Sequence, residues 1–192
     1  FDRLSFDVPS ALMNNRIICH YQPIVNASTN EIDKYETLVR MIDKNGLIIP
    51  PIEFLDISKK TKLYSHITLE VINQACNTFE NRSENFSVNL SIDDIKDPNT
   101  VYEIVKAITT TKTASRIIFE ILESEGIENY EEVSDFIIQM KALGAKIAID
   151  DFGTGYSNFE HILKLNVDYI KIYGSLIKGI VNNNKHKIIV ET

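Results

Sequence analysis

Two adjacent carboxylates, Asp150 and Asp151, follow a short apolar segment with strand-like alternation and precede a loop that contains Gly153 and Gly155. Neighbouring carboxylates repel each other, and their burial without a counter-charge costs several kcal/mol. A strand end that carries both therefore favours a cation-binding site. Taken alone, this pair also fits an acidic turn that caps the following helix.

Other predicted strands carry further polar side chains at their ends. Because barrel strands keep their interiors apolar, charges near the carboxyl ends of several strands indicate one shared site. The residues that would form it are Glu36, Asn89, Glu120, Glu123, Asp150, Asp151 and Lys171.

The candidate ligands are Glu36, Asn89, Glu120, Asp150 and Asp151, and all of them are oxygen donors. Hard oxygen ligands suit Mg²⁺, Mn²⁺ or Ca²⁺ and not zinc or copper. Adjacent aspartates could hold two ions with one carboxylate bridging, an arrangement that can support in-line displacement at a phosphodiester.

Predicted strands alternate with predicted helices along most of the chain. The segment 26–30 reads as a turn between the first two strands, which predicts an antiparallel hairpin. The remaining order of strand then helix favours a parallel sheet or a (β/α) barrel. The predicted strands are 17–25, 34–40, 86–91, 116–122, 145–150 and 168–173, and the predicted helical stretches are about 50–80, 100–109, 130–142, 157–164 and 174 onward.

The composition and net charge of the chain argue against some classes of function. With 192 residues and 44% hydrophobic content, the chain can bury the core of one domain. A net charge of −7 argues against binding to a nucleic acid polymer or an anionic membrane. Cys19 and Cys76 are far apart, which is typical of a reducing compartment. We therefore expect a cytoplasmic domain, either alone or as part of a larger, membrane-anchored protein.

Motifs across the chain resemble the EAL domain family, the bacterial phosphodiesterases that act on cyclic di-GMP. The family's namesake motif reads Glu-Thr-Leu here, with Thr37 in place of alanine. The matching segments, in family order, are YQPIV (21–25), YETLVR (35–40), PPIEFL (50–55), FSVNLS (86–91), FEILES (119–124), IAIDDFGTGYSNF (147–159) and DYIKI (168–172).

The resemblance implies an α/β fold, a modified TIM-type (β/α)8 barrel with an antiparallel first strand. It implies hydrolysis of cyclic di-GMP to linear pGpG with Mg²⁺ or Mn²⁺ at a two-metal site. A catalytically silent receptor of cyclic di-GMP is the alternative. The resemblance also implies a homodimer through 152–164 and fusion to a diguanylate cyclase or sensor domain.

The family's residue roles can be carried over position by position. Glu36, Asn89, Glu120 and Asp150 would hold one metal, and Asp150 with Asp151 a second. Lys171 would lie beside the attacking water, and Glu123 would pin the loop 152–158. Gln22 and Arg40 would face the nucleotide. The expected catalytic set is thus Lys171, Glu36, Asp151 and Glu123.

Two departures from the family pattern stand out. Tyr173 lies where the family has an aspartate two residues after the lysine, so a phenol replaces a carboxylate near the metals.

The family also has two further β/α units after the helix that begins near Ser175. We therefore expect residues 1–192 to form one phosphodiesterase domain that is incomplete at its C-terminus, with the last β/α units missing from this chain.

A different enzyme class, a Schiff-base aldolase, would use Lys171 as its amine. A reactive amine needs a lowered pKa. Carboxylates near Lys171 would instead raise its pKa and keep it protonated, which argues against this class.

Overall fold

The computed structural model describes residues 7–123, 130–153 and 164–178. Its strands form one mainly parallel sheet in the order β1-β2-β4-β5-β6-β7, and β3 pairs with β2. The strands are β1 (Ile17–Val25), β2 (Ile32–Ile42), β3 (Ile48–Ile49), β4 (Asn85–Leu90), β5 (Ile117–Leu122), β6 (Lys146–Phe152) and β7 (Tyr169–Ile172). The helices are α1 (Asp7–Met13), α2 (Leu55–Lys60), α3 (Tyr64–Phe79), α4 (Ile92–Lys96), α5 (Pro98–Thr110), α6 (Tyr130–Ala142) and α7 (Gly174–Lys178), with a 3-10 turn at Pro51–Glu53.

The predicted hairpin is confirmed, because β1 and β2 pair antiparallel. The turn between them is stabilised by the Asn26 side chain, whose Oδ1 accepts hydrogen bonds from the N–H groups of Ser28 and Thr29. Asn30 completes the turn in the left-handed region with φ 58°. The short β3, which pairs with the far end of β2, was not predicted.

Every pairing after the hairpin is parallel: β2 with β4, β4 with β5, β5 with β6 and β6 with β7. The carboxyl ends of these strands therefore meet at one edge of the sheet. Successive side chains of a strand point to opposite faces of the sheet. Phe119 and Ile121 of β5 are therefore buried on the face opposite to Glu120.

The helices cover the apolar face of the sheet. In α3, which lies within the predicted helical stretch 50–80, Ile67, Val71, Ala75 and Phe79 follow one another at intervals of four residues and are all buried, as the helical period requires. The Phe79 ring stacks on Phe86 of β4 with centroids 4.5 Å apart, so α3 is anchored to the sheet.

Helix boundaries follow local capping chemistry. Ser91 and Asp94 form a reciprocal capping box that starts α4, a helix absent from the sequence prediction, as is α1. Asp97 caps α5. Gly144, with φ +95°, follows the end of α6, whose bounds agree with the predicted stretch 130–142. The predicted helix at 157–164 lies outside the described residues except for Lys164.

No helix among the described residues has both the length and the apolar character needed to cross a bilayer.

Candidate functional site

Strand register brings the predicted polar residues to one rim of the sheet. Gln22 of β1 is opposite Glu36 of β2, and Glu36 is opposite Ser87 of β4. Residues paired across adjacent strands point to the same face, so these side chains share the face opposite to the apolar core. In the same way Asn89 of β4 is opposite Glu120 of β5, and Leu122 of β5 is opposite Asp150 of β6.

Lys171 of β7 lies at the centre of this group. Its Nζ donates hydrogen bonds to Glu120 Oε2 at 2.6 Å, to Asp150 Oδ2 at 2.9 Å and to Glu36 Oε1 at 3.3 Å. The Glu120 side chain is only 1% exposed, whereas that of Lys171 is 28% exposed. One ammonium thus bridges three carboxylates from three strands.

The charges in this cluster shift one another's pKa values. Burial alone would lower the pKa of Lys171, but the charge and hydrogen bond of Glu120, helped by Asp150 and Glu36, raise it above its usual range. Burial raises the pKa of Glu120, and Lys171 opposes that rise. Lys171 is therefore a permanent cation, which is the opposite of what a Schiff-base amine requires.

The cluster also fits a divalent cation. Glu36, Glu120 and Asp150 each offer a carboxylate oxygen within 4.8 Å of the other two. An all-oxygen set of this kind suits a hard cation such as Mg²⁺, Mn²⁺ or Ca²⁺. The structure therefore brings three of the five predicted ligands together, and Asn89 is directly opposite Glu120 on the adjacent strand.

Asp151 differs from Asp150 in its backbone. The β6–β7 register shifts between Ile149 and Phe152, and Asp151 adopts a left-handed φ of 55°. Its N–H donates to Asp150 Oδ1 at 2.8 Å. Burial raises the pKa of Asp151, and the charge of Asp150 adds to that rise. Such a bulge re-aims side chains at a sheet rim, so the two carboxylates need not follow strict alternation.

Glu123 contacts the segment that follows the paired aspartates. Its side chain is buried, and Oε2 accepts a hydrogen bond from the N–H of Gly153 at 2.9 Å. The rest of the expected contact with 152–158 falls mostly outside the described residues.

Gln22 and Arg40 lie on the β1–β2 side of the site. Gln22 is exposed, and its position opposite Glu36 places it at the edge of the carboxylate group. Arg40 is half-buried, and its Nη1 donates to the carbonyl oxygen of Val39 at 2.7 Å. Alternation places Arg40 on the same face of β2 as Glu36.

Tyr173 follows β7 directly. Its N–H donates to the carbonyl oxygen of Phe152 at 3.0 Å, and its side chain is 40% exposed. It lies two positions after Lys171, so alternation continued beyond the end of β7 would place it on the face of Lys171.

A cavity of about 310 Å³ lies between β2, α2 and α3, and Asn89 of the rim is one of its lining residues. Asn89 and Leu122 are exposed lining residues and form part of its mouth, together with Asp56 and Lys59 of α2. Its floor includes Thr37 of β2, which is buried and whose Oγ1 has no hydrogen-bond partner among the described residues. The walls are mostly apolar side chains of β2, α2 and α3, among them Val39, Leu55, Ile67 and Val71.

Sequence reasoning missed Ser87. It is fully buried in β4, two positions before Asn89 and directly opposite Glu36. The period-2 pattern of FSVNLS could have indicated its inward position, but a serine inside an apolar strand gives no chemical signal by itself.

Comparisons with known proteins agree with this geometry. The chain is 32% identical over 180 residues to the cyclic di-GMP phosphodiesterase PdeF of Escherichia coli, covering 91% of this chain and 24% of that protein. It is 29% identical over 192 residues to the cyclic di-GMP phosphodiesterase PdeB of Shewanella oneidensis, covering 96% of this chain and 22% of that protein. The chain therefore spans about a quarter of the length of these curated relatives.

Among solved structures, the PaMucR phosphodiesterase in complex with c-di-GMP superposes with a TM-score of 0.90 at 28% sequence identity, covering 98% of this chain and 79% of that chain. This likeness confirms the predicted barrel-type α/β fold with its antiparallel first strand pair. Residues 7–192 match the profile of the EAL domain. With the acidic rim and strand order of the fold, that match makes the chain a member of the EAL domain family.

Proposed function

We propose that this protein hydrolyses cyclic di-GMP to linear pGpG with Mg²⁺ or Mn²⁺. The observation that carries the proposal is the rim on which Glu36, Glu120 and Asp150 converge around Lys171. The names of its relatives PdeB and PdeF support the substrate.

The roles of the residues follow from their positions. Glu36, Asn89, Glu120 and Asp150 would hold one divalent cation, and Asp150 with Asp151 would hold a second. When bound, the cations would supply an activated water and charge stabilisation at the phosphodiester. Lys171, which stays protonated, orients carboxylates of this set and stabilises negative charge that develops on the phosphate. Glu123 holds Gly153 and so positions the segment after Asp151.

The cavity beside Asn89 supports a nucleotide substrate. Its apolar walls and buried floor suit one planar base, while Asn89 at the mouth is paired with Glu120 on the adjacent strand. Gln22 and Arg40 would contact the nucleotide from the β1–β2 side, and Arg40 would offer a forked donor to phosphate.

The test is hydrolysis of cyclic di-GMP by the full-length protein with Mg²⁺ and with Mn²⁺, followed by chromatography of the products. We expect pGpG from the parent protein and none from Glu36→Ala. Glu103→Ala is the matched control, since Glu103 is an exposed glutamate on α5 that pairs with Lys106. Unchanged turnover in Glu36→Ala with the fold intact would overturn the proposal.

A second function, a silent receptor for cyclic di-GMP, is favoured by Tyr173. A phenol at this position, two residues after Lys171, replaces the carboxylate that the family has beside the lysine. Tight binding of cyclic di-GMP without turnover, with either Mg²⁺ or Mn²⁺, would select this function.

Further features of the proposal concern assembly and location. We place the dimer contact in 152–164, most of which lies outside the described residues, and sedimentation at several protein concentrations tests it.

Free Cys19 and Cys76 support a cytoplasmic location, because both thiols are at least partly buried and unbridged. Fusion to a diguanylate cyclase, as the name of the bifunctional Pseudomonas aeruginosa protein MucR indicates for that relative, is the proposed wider context.

A further inference from the structure

Ser87 lies inside the carboxylate cluster. It is fully buried at the middle of β4 and is paired with Glu36 on one side and Ile118 on the other. Because side chains alternate along a strand, Ser87 lies on the same face of β4 as Asn89, which is paired with Glu120. The Ser87 hydroxyl thus lies one strand step below the rim, between the two glutamates.

The Ser87 hydroxyl lacks a partner that its burial requires. Within the described part of the chain, no group meets full hydrogen-bond geometry with Ser87 Oγ. A buried hydroxyl left unpaired is costly, because it has given up its hydrogen bonds to water. Most buried polar groups have a hydrogen-bond partner. The unpaired Ser87 hydroxyl beside the carboxylates therefore indicates that one of them is its acceptor.

Glu120 is the acceptor within reach. Ser87 and Glu120 lie on the same face of the adjacent strands β4 and β5, because Glu120 is paired with Asn89, two positions after Ser87. Lys171 Nζ donates a hydrogen bond to Glu120 Oε2 at 2.6 Å. A carboxylate can accept several hydrogen bonds, so Glu120 can also accept one from Ser87.

We propose that Ser87 is a positioning residue whose hydroxyl donates to the Glu120 carboxylate and holds it in the orientation that binds a divalent cation. The inference rests on the proposed metal-dependent function. Ligating carboxylates are themselves held by hydrogen bonds, and loss of such a partner typically lowers metal affinity by about 10–100-fold.

The test compares Mn²⁺ binding by calorimetry in the full-length protein and its variants. We expect Ser87→Ala to bind Mn²⁺ about 10-fold or more weakly, and Ser87→Thr, which keeps the hydroxyl, to bind more tightly than Ser87→Ala. Ser58→Ala is the matched control: Ser58 is also fully buried, but its hydroxyl donates to the backbone carbonyl of Phe54 at the start of α2 and not to a carboxylate of the site. It should leave Mn²⁺ affinity unchanged.

Several outcomes would contradict the role of Ser87. Mn²⁺ affinity equal to that of the parent in Ser87→Ala would overturn it, and so would an equal loss in Ser58→Ala. If Ser87→Ala does not fold, Ser87→Cys decides, because a thiol of similar size is a weak donor and should reproduce the loss. A parent protein that binds no Mn²⁺, or Glu36→Gln that binds it normally, would instead contradict the proposed metal site itself.

Discussion

Lys171 is the residue on which the charge balance of the site depends. Replacement by methionine leaves Glu120, which is 1% exposed, without its counter-charge. Breaking a buried pair in this way costs on the order of 3 kcal/mol. We expect the free energy of unfolding of Lys171→Met to fall by about that amount near pH 8, as measured by urea denaturation.

The same variant should show a specific pH dependence. The pKa of Glu120 is already raised by burial, and loss of Lys171 removes the group that opposes the rise. Below that pKa the carboxyl is neutral and needs no counter-charge, so the destabilisation should shrink as the pH falls from 8 to 5. Lys106→Met, which breaks an exposed pair on α5, should be nearly neutral at both pH values. A Lys171→Met loss that is independent of pH would contradict this account.

Tyr173 tests whether a carboxylate beside Lys171 is needed. We expect Tyr173→Asp to raise kcat/KM for cyclic di-GMP at limiting Mn²⁺ by about 10–100-fold, because an outer carboxylate strengthens metal binding. Tyr173→Phe is the control for the hydroxyl and should resemble the parent, since the Tyr173 side chain is 40% exposed. No gain in Tyr173→Asp would show that the phenol is tolerated in the chemistry.

At the scale of elements, α3 stabilises the strand that carries Ser87 and Asn89. Phe79 is 1% exposed, stacks on Phe86 of β4 and meets Tyr21 of β1 edge-on at 5.3 Å. Truncation of a buried phenylalanine costs about 3–5 kcal/mol through lost burial and a residual cavity. We expect Phe79→Ala to lose that much stability in urea denaturation.

The control for this element is Ile138→Ala on α6, where the isoleucine is 66% exposed. It should change stability by less than about 0.5 kcal/mol. A similar loss in both variants would mean that the aromatic stack does not anchor α3 to the sheet.

At the scale of the whole molecule, a cation that binds strands distant in sequence must stabilise the fold. A ligand at 100 times its dissociation constant contributes about 2.7 kcal/mol when it binds only the native state. We expect Mn²⁺ to raise the Tm of the parent and EDTA to reverse that rise. The rise should vanish in Glu36→Gln, and an equal rise in that variant would place the ion elsewhere.

The sequence by itself determined the type of fold and the chemical character of its site. Strand alternation, the 26–30 turn and the spacing of Ile67, Val71 and Phe79 are local patterns, so they predict their elements without knowledge of the rest of the chain. The prediction that every candidate metal ligand is an oxygen donor likewise followed from the residue types at the strand ends.

Only the tertiary structure decided which of those side chains meet. Lys171 and Glu36 are 135 positions apart, and their contact depends on the register of every strand between them. The left-handed Asp151, the buried hydroxyl of Ser87 and the cavity above Thr37 arise from pairing and packing between elements. Local periodicity carries no information about such non-local contacts, since a shift of one residue in register would turn each of these side chains to the opposite face.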